Sequence, residues 1–171
     1  MSTLDLRHYT HADRTVIRQA LIDVHAGLPE TDPGDPFTQR FPWFVDHWSG
    51  SPGFTCVIAY KGDEPAGFVY GAPLGAGREW WRGHAEPDGD DTSTYGVSEL
   101  AVGARWRGTG LSADLHEALL AGRTEAFAVL LVDVEHPKVQ GLYERWSYRK
   151  VGERRPFEDS PLFAVMLRPL R

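Results

Sequence analysis

The residues best placed to do chemistry lie around a short glycine-rich turn. Glu99-Leu100-Ala101-Val102 runs into Arg105-Trp106-Arg107-Gly108-Thr109-Gly110, and Leu111-Ser112 follows. An apolar alternating run, broken by one carboxylate, stops at the glycines. Leu111, Leu115 and Leu119 then recur on one face of a helix. A strand, a glycine turn and a helix N-terminus in that order make an anion site. Glycines let the backbone pass close to a phosphate, and the first helical N–H groups have no intrahelical acceptor. A phosphate-bearing cofactor is therefore expected here.

The elements around the turn alternate. Leu4 to His8 reads as a short strand, and Asp13 opens a helix whose apolar face is Val16, Ile17, Ala20, Leu21 and Val24. Gly27 to Pro36, with three prolines and the acids Glu30, Asp32 and Asp35, reads as a loop. Asp35-Pro36 is a helix start, with a capping carboxylate and a proline in the first turn. Phe37, Phe41, Phe44, Val45 and Trp48 follow at helical spacing, and Pro42 is expected to break or kink that helix. Phe54 to Tyr60 and Ala66 to Ala72 form a hairpin around Lys61-Gly62-Asp63. Leu74 to Thr94, with Trp80 and Trp81, reads as a long surface loop. Strands at 95–102 and 128–134, helices at 111–122 and 137–146, and strands at 148–152 and 162–167 complete the chain. The pattern is mixed α/β, with about seven strands and about four helices.

At 171 residues, one domain over 1–171 is expected, large enough for a core without staples. The single cysteine, Cys56, excludes an internal disulfide and a cysteine-based zinc cluster, and its apolar setting marks it as a buried filler. The net charge of −6 argues against nonspecific nucleic-acid binding. Met1 to Tyr9 carries no signal-peptide core, and no run reaches the roughly 18 apolar residues of a membrane span. A cytoplasmic protein is the default expectation. The seven histidines include no H-x-x-x-H or H-E-x-x-H pair, so no metal site is expected.

Three phosphate-binding readings compete for the turn. No lysine follows Gly110, so a P-loop fails. Gly108-x-Gly110-x-x-Ala113 with Asp133 downstream fits a dinucleotide fingerprint, but too little chain follows to build its doubly wound sheet. The third reading is the pyrophosphate arm of coenzyme A. Arg105-x-x-Gly108-x-Gly110 resembles the R/Q-x-x-G-x-G/A signature of the GCN5-related N-acetyltransferase (GNAT) superfamily. Glu99-Leu100-Ala101-Val102 resembles that family's fourth strand. Leu142-Tyr143-Glu144-Arg145-Trp146-Ser147-Tyr148 resembles the L-Y-x-x-x-G-F segment that closes its fourth helix, with Ser147 where glycine is usual. Glu135-His136-Pro137 stands where the family often has an asparagine after the fifth strand.

The resemblance implies an acyl-CoA N-acyltransferase fold whose fourth and fifth strands splay apart, and acetyl transfer from acetyl-CoA to a primary amine in a ternary complex. It places pyrophosphate on the amides of Arg107, Gly108, Thr109, Gly110 and Leu111, with Ser112, Arg105 and Arg107 adding contacts. Pantetheine would lie along Leu100, Ala101 and Val102. Tyr143 matches the tyrosine that protonates the leaving thiolate. Glu99 is the expected general base through water, against the alternative of a structural ion pair. Phe37, Phe41 and Trp80, with Asp32, Asp35, Trp43, Phe44 and Trp48, would line the acceptor side, which suits an organic amine. The plain alternative makes Phe37, Phe41, Phe44 and Trp48 a helix core face. A small-molecule amine is the expected partner, and dimers are common in the resembling family. The rival readings are a protein or peptide N-acetyltransferase and a non-catalytic acyl-CoA-binding module.

Overall fold

A computed structural model describes residues 4–170; Met1 to Thr3, the start of the stretch read as free of a signal peptide, lie outside them. The strands are β1 (Asp5–Thr10), β2 (Thr55–Lys61), β3 (Glu64–Leu74), β4 (Thr94–Val102), β5 (Phe127–Asp133), β6 (Arg149–Arg154) and β7 (Phe163–Pro169). The α-helices are α1 (Arg14–Ala26), α2 (Pro36–Gln39), α3 (Phe41–Ser49), α4 (Leu111–Leu120) and α5 (Pro137–Arg145). The strands hydrogen-bond in the order β1-β2-β3-β4-β5-β7-β6 as one mixed seven-stranded sheet. The chain clusters into two compact units, 1–72 with 98–123 and 73–97 with 124–171.

In the first unit, β1 and β2 pair antiparallel from Asp5↔Tyr60 to Thr10↔Thr55. β2 and β3 form the expected hairpin, closed at Lys61↔Glu64 with Gly62 left-handed at φ +62. The Asp13 carboxylate accepts from the Thr10 N–H at 2.9 Å and so closes a capping box one turn before α1. Of the apolar stripe expected on α1, Ile17 and Leu21 are buried but Val16 is 79% exposed, so the stripe is narrower than its sequence suggests. Asp35 caps α2 by accepting from the Thr38 N–H and hydroxyl. The aromatic helix breaks at Arg40, and Pro42 falls in the first turn of α3, where its missing N–H costs no hydrogen bond. Ile17, Leu21, Phe41, Val45, Phe54, Cys56, Ile58, Phe68, Tyr70 and Ala101 form one core. Burying a side chain of this size stabilises by about 1.5–3 kcal/mol.

In the second unit, β5 pairs parallel to β4 only from Thr94↔Phe127 to Val97↔Leu130. β4 then continues for five residues past its last pairing with β5. On its other side β5 pairs antiparallel with β7, which carries β6 at the edge. The 75–93 segment is ordered by specific contacts. Trp81 is buried and its indole N–H donates to the Thr94 hydroxyl at 2.9 Å. The buried Glu79 carboxylate takes two hydrogen bonds from the Arg82 guanidinium, both at 2.9 Å, which hold its pKa below the usual range. Among the described residues, no helix is long and apolar enough to cross a membrane.

Candidate functional site

The glycine turn has the backbone its sequence requires. After a 3-10 turn at Ala104–Trp106, Gly108 and Gly110 take φ +76 and +88, a region that side chains with a Cβ enter only at a cost. A Cβ added to either would meet nothing within 4 Å. Backbone conformation, not crowding, therefore demands glycine at both positions, and the space beside them is open. The Thr109 hydroxyl donates back to the Trp106 carbonyl and ties the turn together. Gly110 is the N-cap of α4, and the first helical hydrogen bond runs from the Asp114 N–H to the Gly110 carbonyl at 3.1 Å. The N–H groups of Leu111, Ser112 and Ala113 precede that bond and have no intrahelical acceptor. Leu111 is buried and anchors the helix start, while Ser112 is half-buried in the first turn.

Both arginines of the motif are exposed and held. Arg107 Nη2 donates to Glu30 Oε1 at 2.7 Å, and Nε donates to the Val102 carbonyl at 3.2 Å. Arg105 Nη1 donates to Glu64 Oε1 at 3.1 Å, and its guanidinium lies 4.8 Å from the centre of the Trp106 ring. Glu30 and Glu64 are 77 and 41 residues from their arginines. No local spacing signals either pair.

Glu99 and Leu100 on β4 are half-buried, Ala101 is buried and Val102 half-buried. Glu99 keeps a little exposed surface, but it lies deep enough that desolvation pushes its carboxyl up to about 7. Burial is the cause of that shift. Tyr70, a fully buried side chain that sequence reasoning did not single out, has its phenol pushed well up by burial and then by the nearby Glu99 carboxylate.

Tyr143 and Trp80 belong to the second unit. Tyr143 is buried in the last turn of α5, edge-on to Trp146 at 5.3 Å and Tyr148 at 5.8 Å. α5 ends in a Schellman-type cap, with the Tyr148 N–H donating to the Tyr143 carbonyl. Ser147 provides the left-handed residue at φ +72, the single non-glycine residue with positive φ among the described residues. Serine thus occupies a backbone region that glycine enters more easily. Trp80 is half-buried against a cluster built on Trp81, Val129, Val165 and Leu167. In the first unit, Phe41 is 5% exposed and stacks flat on His25 at 3.8 Å, within the core. Phe37 stays half-buried, in contact with Phe44 at 5.4 Å. Among the described residues, no group of three or more His, Cys, Asp or Glu side chains is arranged to hold a metal ion.

Comparison with known proteins agrees with this geometry. The acetyltransferase (GNAT) family model matches residues 19–148. A search of curated protein sequences finds no match. Among solved structures, the chain is similar to an acetyltransferase from Thermus thermophilus, with 20% identity, 98% of this chain and 97% of that one covered, and a TM-score of 0.61. It is similar to Arabidopsis thaliana NAA60 in complex with acetyl-CoA, with 16% identity, coverage of 98% and 99%, and a TM-score of 0.69. It is also similar to the aminoglycoside N-acetyltransferase AAC(6')-Iy in complex with CoA, with 16% identity, coverage of 92% and 94%, and a TM-score of 0.59. Identities this low speak for a shared fold, whereas the family model spans most of the sequence. The chain belongs to the GNAT family of acetyltransferases.

Proposed function

We propose that the protein transfers the acetyl group of acetyl-CoA directly to a primary amine of a small molecule, in a ternary complex. One observation carries the donor assignment: two left-handed glycines lead into the unpartnered N–H groups of α4, with open space beside them. A diphosphate fits that arrangement, since amides, helix dipole and two guanidinium groups all favour an anion there. Arg105 and Arg107 each retain N–H donors beyond those given to Glu64 and Glu30. Coenzyme A solved with AAC(6')-Iy and acetyl-CoA with NAA60 support the same donor.

The bound thioester supplies the activated acetyl group. In this reading the β4 backbone at Leu100 to Val102 aligns the donor, and an N–H at Leu100 or Ala101 polarises the thioester oxygen. Glu99 takes the proton of the acceptor ammonium through a water; a carboxyl raised to about 7 is a far better base than an ordinary one. The amine nitrogen then forms the new C–N bond as the C–S bond breaks, the Tyr143 hydroxyl gives its proton to the leaving thiolate, and the second proton shed by the new amide nitrogen restores the phenol. Half-buried Phe37 and the carboxylates before α2 favour a cationic organic amine on the acceptor side. Cytoplasmic localisation, a single functional domain and homodimerisation belong to the same proposal; sedimentation tests the last.

The test is an amine panel assayed for coenzyme A release, with mass detection of product and peptides as a separate arm. Acetylation of small amines with turnover is expected, with Glu99→Gln and Tyr143→Phe slowed about a hundredfold or more at intact coenzyme A affinity. Preference for peptides would replace the acceptor assignment. Coenzyme A binding without any acetylation would favour a non-catalytic module, and no calorimetric heat with coenzyme A would remove the donor assignment.

A further inference from the structure

Tyr70 has the burial and position to hold Glu99. The Gly103 N–H donates to the Ala66 carbonyl at 2.8 Å, and Gly67 lies against Ala101 and Val102. Counting back along this pair of strands brings Tyr70 across from Ser98 and Glu99. The electrostatics agree: burial first, and the Glu99 carboxylate second, push the Tyr70 phenol well above its ordinary range, with Ser98 beside it working in the opposite direction. The ring itself is fixed. It is 1% exposed, lies parallel to Phe68 at 5.8 Å, contacts Phe54 at 5.8 Å and pairs across the sheet with Cys56. Ser98 is also the first β4 residue past the last pairing with β5, so this stretch of strand lacks a β5 ladder to hold it.

We propose that Tyr70 is a positioning residue: locked between aromatic rings, it fixes Ser98 by its hydroxyl and walls water away from Glu99. It touches neither donor nor acceptor and acts through the carboxylate alone. The inference rests on Glu99 being the base of the proposed reaction. Other titratable groups along this face are Cys56 and Tyr9, which follow Tyr70 along the row on β2 and β1, and His25 of α1, stacked on Phe41.

The experiment compares the full-length protein with Tyr70→Phe, Ser98→Ala, Ser98→Thr, the Tyr70→Phe/Ser98→Ala double variant and Glu99→Gln. Tyr70→Phe keeps the ring and removes the hydroxyl. It is expected to lower kcat about tenfold while leaving KM for acetyl-CoA and coenzyme A binding unchanged. Water then reaches the carboxylate, so the acid limb of the kcat–pH profile moves to lower pH by about half a unit or more. Ser98→Ala is expected to match it, Ser98→Thr to restore activity, and the double variant to be no worse than either single one. Lower thermal stability with an unmoved acid limb would show a merely structural role and overturn the proposal. Unchanged kcat in Tyr70→Phe beside an inactive Glu99→Gln would overturn it alone. Full activity in Glu99→Gln would instead overturn the base assignment beneath it.

Discussion

Burial raises the Glu99 carboxyl from an ordinary 4.5 to about 7, so with Glu99 as the proposed base this one residue would tie catalysis to stability. Catalysis through the carboxylate should rise with pH and level off above about 7. Stability has the opposite slope. Below 4.5 the group is protonated in both folded and unfolded chains. Between that value and about 7, the native state holds a proton that the unfolded chain has released, so stability falls as pH rises; above about 7 the loss is complete. The penalty is on the order of 1–3 kcal/mol for a carboxyl that keeps some water contact. Urea unfolding at pH 5 and pH 8 should therefore show Glu99→Gln gaining on the wild type at pH 8 by that order. An equal difference at both pH values would mean that Glu99 is not desolvated. Sequence pointed to Glu99 because a lone carboxylate interrupts an apolar strand. It could not point to Tyr70, whose aromatic pattern looks like ordinary core and whose link to Glu99 exists only once two strands lie side by side.

Helix ends carry the next set of consequences. Gly110→Ala places a Cβ at φ +88 on the N-cap of α4. The expected cost is about 1–2 kcal/mol of stability by urea titration, with coenzyme A affinity weakened about tenfold by calorimetry as the amides shift. Unchanged affinity would place the diphosphate elsewhere. At the end of α5, Ser147→Gly relieves the same backbone demand, at φ +72, and should stabilise by about 0.5–1 kcal/mol, seen as a higher urea midpoint. These ends were legible because left-handed positions favour particular residues. The α2–α3 break was half legible: Pro42 announced an interruption, but a proline suits the first turn of a new helix, so the break falls before it at Arg40. The 75–93 segment was not legible. Its order comes from Trp81 reaching Thr94 and from Glu79 gripping Arg82, contacts that no local periodicity encodes.

At the scale of the whole molecule, the net charge of −6 sets a field that attracts a cationic amine and repels an anionic donor. Raising salt from about 20 to 200 mM shortens the Debye length severalfold. The kcat/KM for a cationic acceptor should fall over that range and that for acetyl-CoA should hold or rise; an identical response for both would exclude steering by net charge. One further property bears on how such rates can be measured. The only sulfhydryl in the chain, Cys56, is 1% exposed, and burial pushes its ionisation well above the ordinary range. A disulfide chromophore added to the folded protein will therefore count only thiol freed from the acetyl donor, with a silent background. The same reagent turned on a heated sample will report one equivalent per chain as the molecules come apart, so a single dye follows both turnover and unfolding.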